Sequence, residues 1–213
     1  MFSKLNALSR MGYSPDTVLD IGAYHGLWTE CSREIFVDAR HFLFEAIDYP
    51  ELKKFENVFN VLLNDKIDEV NWFEMRNTGD SLFRENTHNF KNCNIIKRQS
   101  IDLDTVIAGT NILETSQSIF MKIDCQGAEI QILKGAKSLY LKTAFILLEI
   151  PMFGEYNTGV PSFLEHILFM ESIGFVPFDI LESNYFNGFN MQVDVLFINK
   201  SHSFNSLVSV LIR

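Results

Sequence analysis

The sequence predicts an α/β fold: a mostly parallel sheet with helices on both faces and an antiparallel C-terminal edge. Three observations carry this. An apolar run that meets an acid, a glycine turn and then a helical stretch occurs at residues 17–36 and again at 119–133. Further short apolar runs at 41–44 and 144–149 also end in an acid, as buried strands with polar carboxyl ends do. The last two runs, Val176–Leu181 and Val193–Ile198, flank a turn-rich stretch from Glu182 to Asn190 and read as a closing antiparallel pair.

Taken in order, Phe2–Met11 is apolar at Phe2, Leu5 and Leu8, a short helix expected to cover an edge of the domain before Ser14-Pro15-Asp16 breaks it. Thr17-Val18-Leu19 opens the first strand, Asp20 follows, and Gly22 and Gly26 bracket Ala23-Tyr24-His25 ahead of a helix from Leu27 to Phe36. His41–Phe44 is a second strand ending in Glu45, Tyr49–Glu56 an exposed helix, and Val58–Leu63 one third strand ending in Asn64-Asp65. Val70–Met75 reads as another strand. Residues 76–92 are polar for longer than the ~4–6 residues of an ordinary connection, which suits a lid or substrate loop as well as a plain hairpin tip. Asn94–Arg98 is a strand and Leu103–Ala108 a helix capped by Ser100 or Asp102.

Ile119–Ile123 is a buried strand with Asp124 at its end, Gly127 turns the chain, and Ala128–Leu133 is a helix whose first turn holds Glu129, a favourable charge for its dipole. Ala144–Glu149 is a fully buried strand that Pro151 ends. An aromatic, glycine-bearing loop follows to Val160. Ser162 then caps a helix, Phe163–Ile173, expected to pack through Phe163, Leu164, Ile167, Leu168 and Phe169 and to stop at Gly174. The tail from Lys200 ends in Leu207–Ile212, which packs on the domain or on a second subunit, leaving a homo-oligomer open.

Composition bounds the function. The 213 residues suit one domain over 1–213, at the soft prior of about 150 residues per domain. A net charge of −9 with scattered Lys and Arg disfavours a sequence-independent nucleic-acid binder. No apolar run reaches the ~18 residues of a membrane span, and the N-terminus lacks a signal peptide's apolar stretch, so a cytoplasmic protein away from membranes is expected. Cys31, Cys93 and Cys125 form no C-x-x-C pair and read as reduced thiols.

The ligand follows from spacing and charge. A dinucleotide loop wants G-x-G-x-x-G and a phosphate on the helix N-terminus; this loop is D-x-G-x-x-x-G, with Asp20 at its mouth. A carboxylate repels phosphate and suits a cationic ligand, and the amino group and sulfonium of S-adenosylmethionine supply that charge. Glu45 stands near the ~20-residue offset at which an acid grips ribose hydroxyls. Asp124 ends a third strand in the same crevice and is the candidate to orient or deprotonate an acceptor. His25 is a second candidate base, against the blander reading of a loop histidine bonded to cofactor or solvent; His88 in the polar loop has the same two readings. Asp65 contacts the nucleoside or simply forms a turn with Asn64. Ser81 of the 79–81 loop, Glu149 and Tyr156 of the 153–157 loop are the acceptor-side candidates. Asp124 with Glu149 can offer two hard ligands to a divalent cation, but no third is identified and no metal is expected.

The strings VLDIGAYHG, FLFEA with Glu45, KIDCQGAEIQILKGA and ILLEI resemble the FkbM family of S-adenosylmethionine-dependent methyltransferases over roughly Val18–Asn199. The third string is the most specific, and it departs from the family pattern by carrying Gln126 where Glu is usual. The resemblance implies a Rossmann-like class I methyltransferase with a seven-stranded sheet. It implies that Asp20, Gly22 and Gly26, with Ala23 and Tyr24 of the same loop, hold the methionine end. Glu45 and Ala46 would hold the ribose, and Asp124 the space between cofactor and acceptor. Family members are similar to O-methyltransferases acting on sugars, polyketides and related hydroxyl compounds. The expected partner is therefore a small hydroxyl acceptor, a sugar or nucleotide-sugar of capsule or lipopolysaccharide assembly. A nonenzymatic cofactor-binding module remains the alternative; an NAD-dependent oxidoreductase is disfavoured by the missing middle glycine.

Overall fold

Alternation along the central strands decides the layers. In β1 (Thr17–Ile21), Leu19 and Ile21 enter one core cluster while Val18 enters another, because successive side chains point to opposite faces. The same division runs through β7 (Ile119–Ile123) and β8 (Thr143–Pro151), where Met121, Ile123, Ile146 and Leu148 face one layer and Phe120, Phe145 and Leu147 the other. A strand buried on both faces needs cover on both. The computed structural model, which describes residues 1–86, 90–152 and 157–205, supplies that cover with helices.

One side is covered by α1 (Phe2–Arg10) through Leu5 and Leu8 and by Trp28 of α2 (Leu27–Ile35). Lys4 of α1 also reaches the edge of the sheet, its Nζ donating to Asp179 Oδ1 at 2.9 Å. The other side receives α3 (Leu103–Ala108), the single turn α4 (Ile112–Thr115), α5 (Glu129–Lys134) and α6 (Phe163–Ser172). Asp102 caps α3 by accepting from the Thr105 N–H, and Ser162 with Glu165 forms a capping box on α6. The expected apolar face of α6 holds in part: Phe163, Ile167 and Phe169 pack against the core, but Leu164 and Leu168 are 62% and 55% exposed, and His166 and Met170 are the fully buried residues.

β2 (Arg40–Glu45), β3 (Val58–Asn60), β9 (Phe175–Phe186) and β10 (Phe189–Asn199) complete a seven-stranded sheet of order β3-β2-β1-β7-β8-β10-β9. The five strands from β3 to β8 run parallel, and β10 and β9 close the sheet antiparallel. The chain steps outward from β1 to β2 and β3, then returns to β7 on the other side of β1. That reversal opens a crevice at the carboxyl ends, the place where such sheets bind ligands. Among the described residues, no helix is long and apolar enough to cross a membrane.

Three expectations change. Val58–Leu63 is not one strand: β3 pairs with β2, but β4 (Leu62–Asn64) leaves for a second sheet with β5 (Asp68–Glu74) and β6 (Asn94–Asp102), order β4-β6-β5. Tyr49–Glu56 holds only a short 3-10 helix, Pro50–Lys54. The stretch from Glu182 to Asn190 is mostly strand, and its only turn residues are Asn187 and Gly188, both with positive φ, the signature of a two-residue hairpin turn. The Leu207–Ile212 tail, His88 and Tyr156 lie outside the described residues.

Candidate active site

The turn after β1 is built around one buried cation. Asp20 lies in register opposite Lys122, and the Lys122 Nζ sits 3.1 Å from Asp20 Oδ1 and 3.6 Å from Asp124 Oδ2 while donating to the Gly22 carbonyl at 2.8 Å. Burial alone pulls a lysine's affinity for its proton down, but here the Asp20 and Asp124 charges more than offset it, and the ammonium is held well above its ordinary range. Thr29 Oγ1 donates to Asp20 Oδ2 at 2.6 Å, Oδ1 is held by the Lys122 ion pair alone, and the residue is 0% exposed. Gly22 is at φ +74°, and a Cβ there would fall 2.0 Å from the Asp124 carbonyl oxygen. Only glycine lets the two strand ends approach this closely.

Above this pair opens a cleft of about 350 Å³. Its walls include Gly22, Tyr24, Glu45, Ala46, Tyr49, Trp72, Asp80, Asp124, Gln126 and Glu149, so four carboxyl groups and no Lys, Arg or His line it among the described residues. Glu45 accepts from the Tyr24 N–H at 2.8 Å and the Ile47 N–H at 3.0 Å; burial raises its pKa against the pull of those donors and Lys122. Each of its oxygens still carries a free lone pair.

The acceptor-side candidates are tied together by Gln126, whose Nε2 donates to Asp124 Oδ1 at 3.2 Å and to Glu149 Oε2 at 2.7 Å. Burial, then Asp124 and Asp194, push Glu149 well above the usual carboxylate range. Asp194, its in-register neighbour on β10, is raised to about 7 by burial and the charges of Asp124 and Glu182. The amide matters: a carboxylate at this position, the usual family residue, could donate to neither acid unless protonated.

Residues that hold this turn were partly hidden from sequence reasoning. Glu129 is fully buried, and its Oε1 accepts from the Cys125 and Gly127 N–H groups at 2.9 and 3.1 Å, so it braces the turn rather than merely complementing a helix dipole. Ser81 Oγ and Asn157 Nδ2 both donate to the Gln126 carbonyl, at 2.9 and 2.7 Å. Burial in a low-dielectric surround raises the Cys125 thiol, which fits an inert packed side chain.

The structure brings Gly22, Tyr24, Glu45, Ala46, Asp124 and Glu149 together on the cleft. It does not bring the other candidates there. Asp20 is spent on Lys122 and Thr29, so its expected grip on a ligand is corrected to support from below. Ala23 is buried behind the loop, and Gly26 packs on Phe55 as the residue that starts α2. His25 does not line the cleft: its ring stacks on Tyr24 at 3.8 Å and meets Tyr49 edge-on, which removes it from a base's place. Asp65 is exposed and lines a separate surface groove; Val61, Leu62 and Leu63 hold the cleft wall instead. Ser81 is 0% exposed and committed to backbone, so it pins its loop rather than touching an acceptor. Among the described residues, no group of three or more His, Cys, Asp or Glu is arranged to hold a metal ion. Trp72 and Tyr49 were missed as cleft residues, because nothing in the local pattern says that their segments fold back over the ends of β1 and β2.

A parallel sheet with this reversal, an acid-lined cleft at the carboxyl ends and an antiparallel edge is the architecture of class I S-adenosylmethionine-dependent methyltransferases. The sequence profile of the methyltransferase FkbM domain matches residues 20–177, and the chain belongs to that family. A solved methyltransferase FkbM from Methylobacillus flagellatus KT is 14% identical with a TM-score of 0.52, the match covering 87% of this chain and 43% of that one. This chain thus spans less than half the length of that protein. A magnesium protoporphyrin IX methyltransferase from Synechocystis PCC 6803 is 8% identical with a TM-score of 0.48 over 93% of this chain and 76% of that one. No curated protein sequence matches the chain significantly.

Proposed function

We propose that the chain is an S-adenosylmethionine-dependent O-methyltransferase acting, as one domain in the cytoplasm, on a hydroxyl of a small molecule. The sugar or nucleotide-sugar of a surface polysaccharide pathway is the acceptor that the family resemblance favours. The observation supporting the cofactor is the lining of the cleft: among the described residues Glu45, Asp80, Asp124 and Glu149 face it and no Lys, Arg or His does, which suits a positively charged ligand and not a pyrophosphate.

S-adenosylmethionine, when bound, supplies a methyl group already activated on a sulfonium. Glu45, held by two backbone N–H groups, offers its remaining lone pairs to ribose hydroxyls. Asp124 stands between the glycine turn and Glu149 and orients the acceptor hydroxyl. Glu149, fixed by the same Gln126 amide, is the nearby group able to take the hydroxyl proton once it ionises. Most of the rate would come from placing the acceptor oxygen rather than from proton transfer. Calorimetric titration with S-adenosylmethionine, S-adenosylhomocysteine and NAD tests the reading: micromolar binding of both sulfur compounds and none of NAD is expected, and binding of NAD alone would overturn it.

A further inference from the structure

The turn after β7 reaches the acceptor-side acids through a residue in a costly conformation. Gln126 stands at φ +53°, in the left-handed region that a side chain disfavours, and Gly127 follows at φ +106°. Such an outlier persists only where its surroundings over-determine it, and on a ligand cleft it points to a task. Here the peptide group between Gln126 and Gly127 is gripped at both ends. Glu129 Oε1 accepts from the Gly127 N–H at 3.1 Å, while Ser81 Oγ and Asn157 Nδ2 donate to the Gln126 carbonyl at 2.9 and 2.7 Å.

The two grips differ in origin. Glu129 opens α5 and belongs to the turn itself. Ser81 and Asn157 stand 45 and 31 residues from Gln126 along the chain, and they are 0% and 2% exposed, so both donors are committed where water does not compete. Their segments also hold each other. The Thr158 N–H donates to the Arg84 carbonyl at 2.8 Å, Thr158 Oγ1 donates to Asn86 Oδ1 at 2.7 Å, and Glu85 pairs with Asn157 in an isolated antiparallel bridge. What they hold matters to the cleft, because the Gln126 side-chain amide donates to both Asp124 and Glu149. Were residue 126 to return to negative φ, its Cα–Cβ bond would swing and carry that amide away from the two acids.

We propose that Ser81 and Asn157 are positioning residues: by holding the Gln126 carbonyl they keep the Gln126 amide between Asp124 and Glu149, so that two segments remote from the turn set the state of both acids. That these acids serve an acceptor rests on the methyltransferase reading; the coupling through Gln126 does not.

The test follows Glu149 by carboxyl carbon NMR across pH in the ligand-free full chain, its signal identified by its loss in Glu149→Gln. The groups that act on it are Asp124, itself against Lys122, at the end of β7, Asp194 of β10 beside Glu182 of β9, and Glu129 of α5; these acids repel its charge, while the Gln126 amide stabilises it. Gln126→Leu is expected to raise the affinity of Glu149 for its proton about tenfold, the size of one hydrogen bond to a charged group. Ser81→Ala and Asn157→Ala are each expected to raise it roughly threefold or more and, combined with Gln126→Leu, to add nothing, because their effect passes through the amide. Ser81→Ala removes a single oxygen and carries the test by itself if Asn157→Ala does not fold. A merely structural Ser81 would lower the melting temperature and leave the Glu149 midpoint in place. That result in folded Ser81→Ala overturns the proposal, as does a shift that persists undiminished beside Gln126→Leu. Calorimetry with S-adenosylhomocysteine reads the cofactor separately: coupled shifts in a chain that does not bind it would uphold the positioning role and overturn the methyltransferase reading.

Discussion

The two acid-and-glycine turns, one after β1 and one after β7, read alike in the sequence and behave differently in the fold. Asp20 is the fourth residue of five-residue β1, opposite Lys122, and is wholly buried; Asp124 falls one residue beyond β7, and its side chain is 39% exposed on the cleft. A shift in where the strand ends relative to the acid therefore separates an acid that builds the turn from one that meets the ligand. Lys122 serves both, neutralising Asp20 below and touching Asp124 above.

Substitutions can break that contrast. The largest effect is expected from Asp20→Ala, which leaves Lys122 buried with one weaker partner: about 3–5 kcal/mol lost in urea unfolding, whatever the ligand. Gly22→Ala should follow at roughly 2–3 kcal/mol, since its Cβ would meet the Asp124 carbonyl at 2.0 Å in a backbone conformation that disfavours side chains. Asp194 supplies a pH test. Its pKa is raised to about 7, so its folded state favours the proton, and its contribution to stability is lost as pH rises from about 4 through 7. Asp194→Asn should accordingly be more stable than wild type at pH 8 by roughly 2 kcal/mol, with the gap closing at pH 4, in thermal unfolding followed across pH. Asp124→Asn should change stability by under about 1 kcal/mol while weakening S-adenosylmethionine binding about tenfold. If Asp124→Asn instead unfolds the protein and Asp20→Ala does not, the division of roles is reversed.

The smallest change sharpens the role of the amide. Gln126→Leu removes a donor that lowers the Glu149 pKa, so methyl transfer should need higher pH than in wild type. A pH–rate profile that keeps its midpoint would show that Gln126 only shapes the turn.

Local pattern was enough where a strand or helix is specified by its own residues. The expected spans of β7 and α3 coincide with those observed, the Ser162 cap is present, and the closing pair is antiparallel as expected though its strands run longer. What the pattern could not carry is pairing at a distance. Val58–Leu63 is apolar apart from Asn60 and reads as one run, and the competing partners β2 and β6 divide it at Val61. The Asn187-Gly188 turn was legible in principle, as an Asn-Gly pair between aromatic-rich strands, but the surrounding Asn and Ser residues made a longer loop look equally good. At the site, Glu45 and Asp124 could be placed by their position at strand ends. His25, Ser81 and Asp65 are polar residues of loops, and which way a loop side chain points depends on what packs behind it. Tyr24 and Tyr49 behind His25, and the Gln126 turn behind Ser81, are contacts across the fold.

The most direct measurement is a crystal structure of the chain with S-adenosylhomocysteine. The ribose hydroxyls should lie within hydrogen-bond distance of Glu45, with the sulfur end toward Gly22 and Asp124. Density for the ligand anywhere but in this cleft, or a ligand turned end for end, would contradict the account.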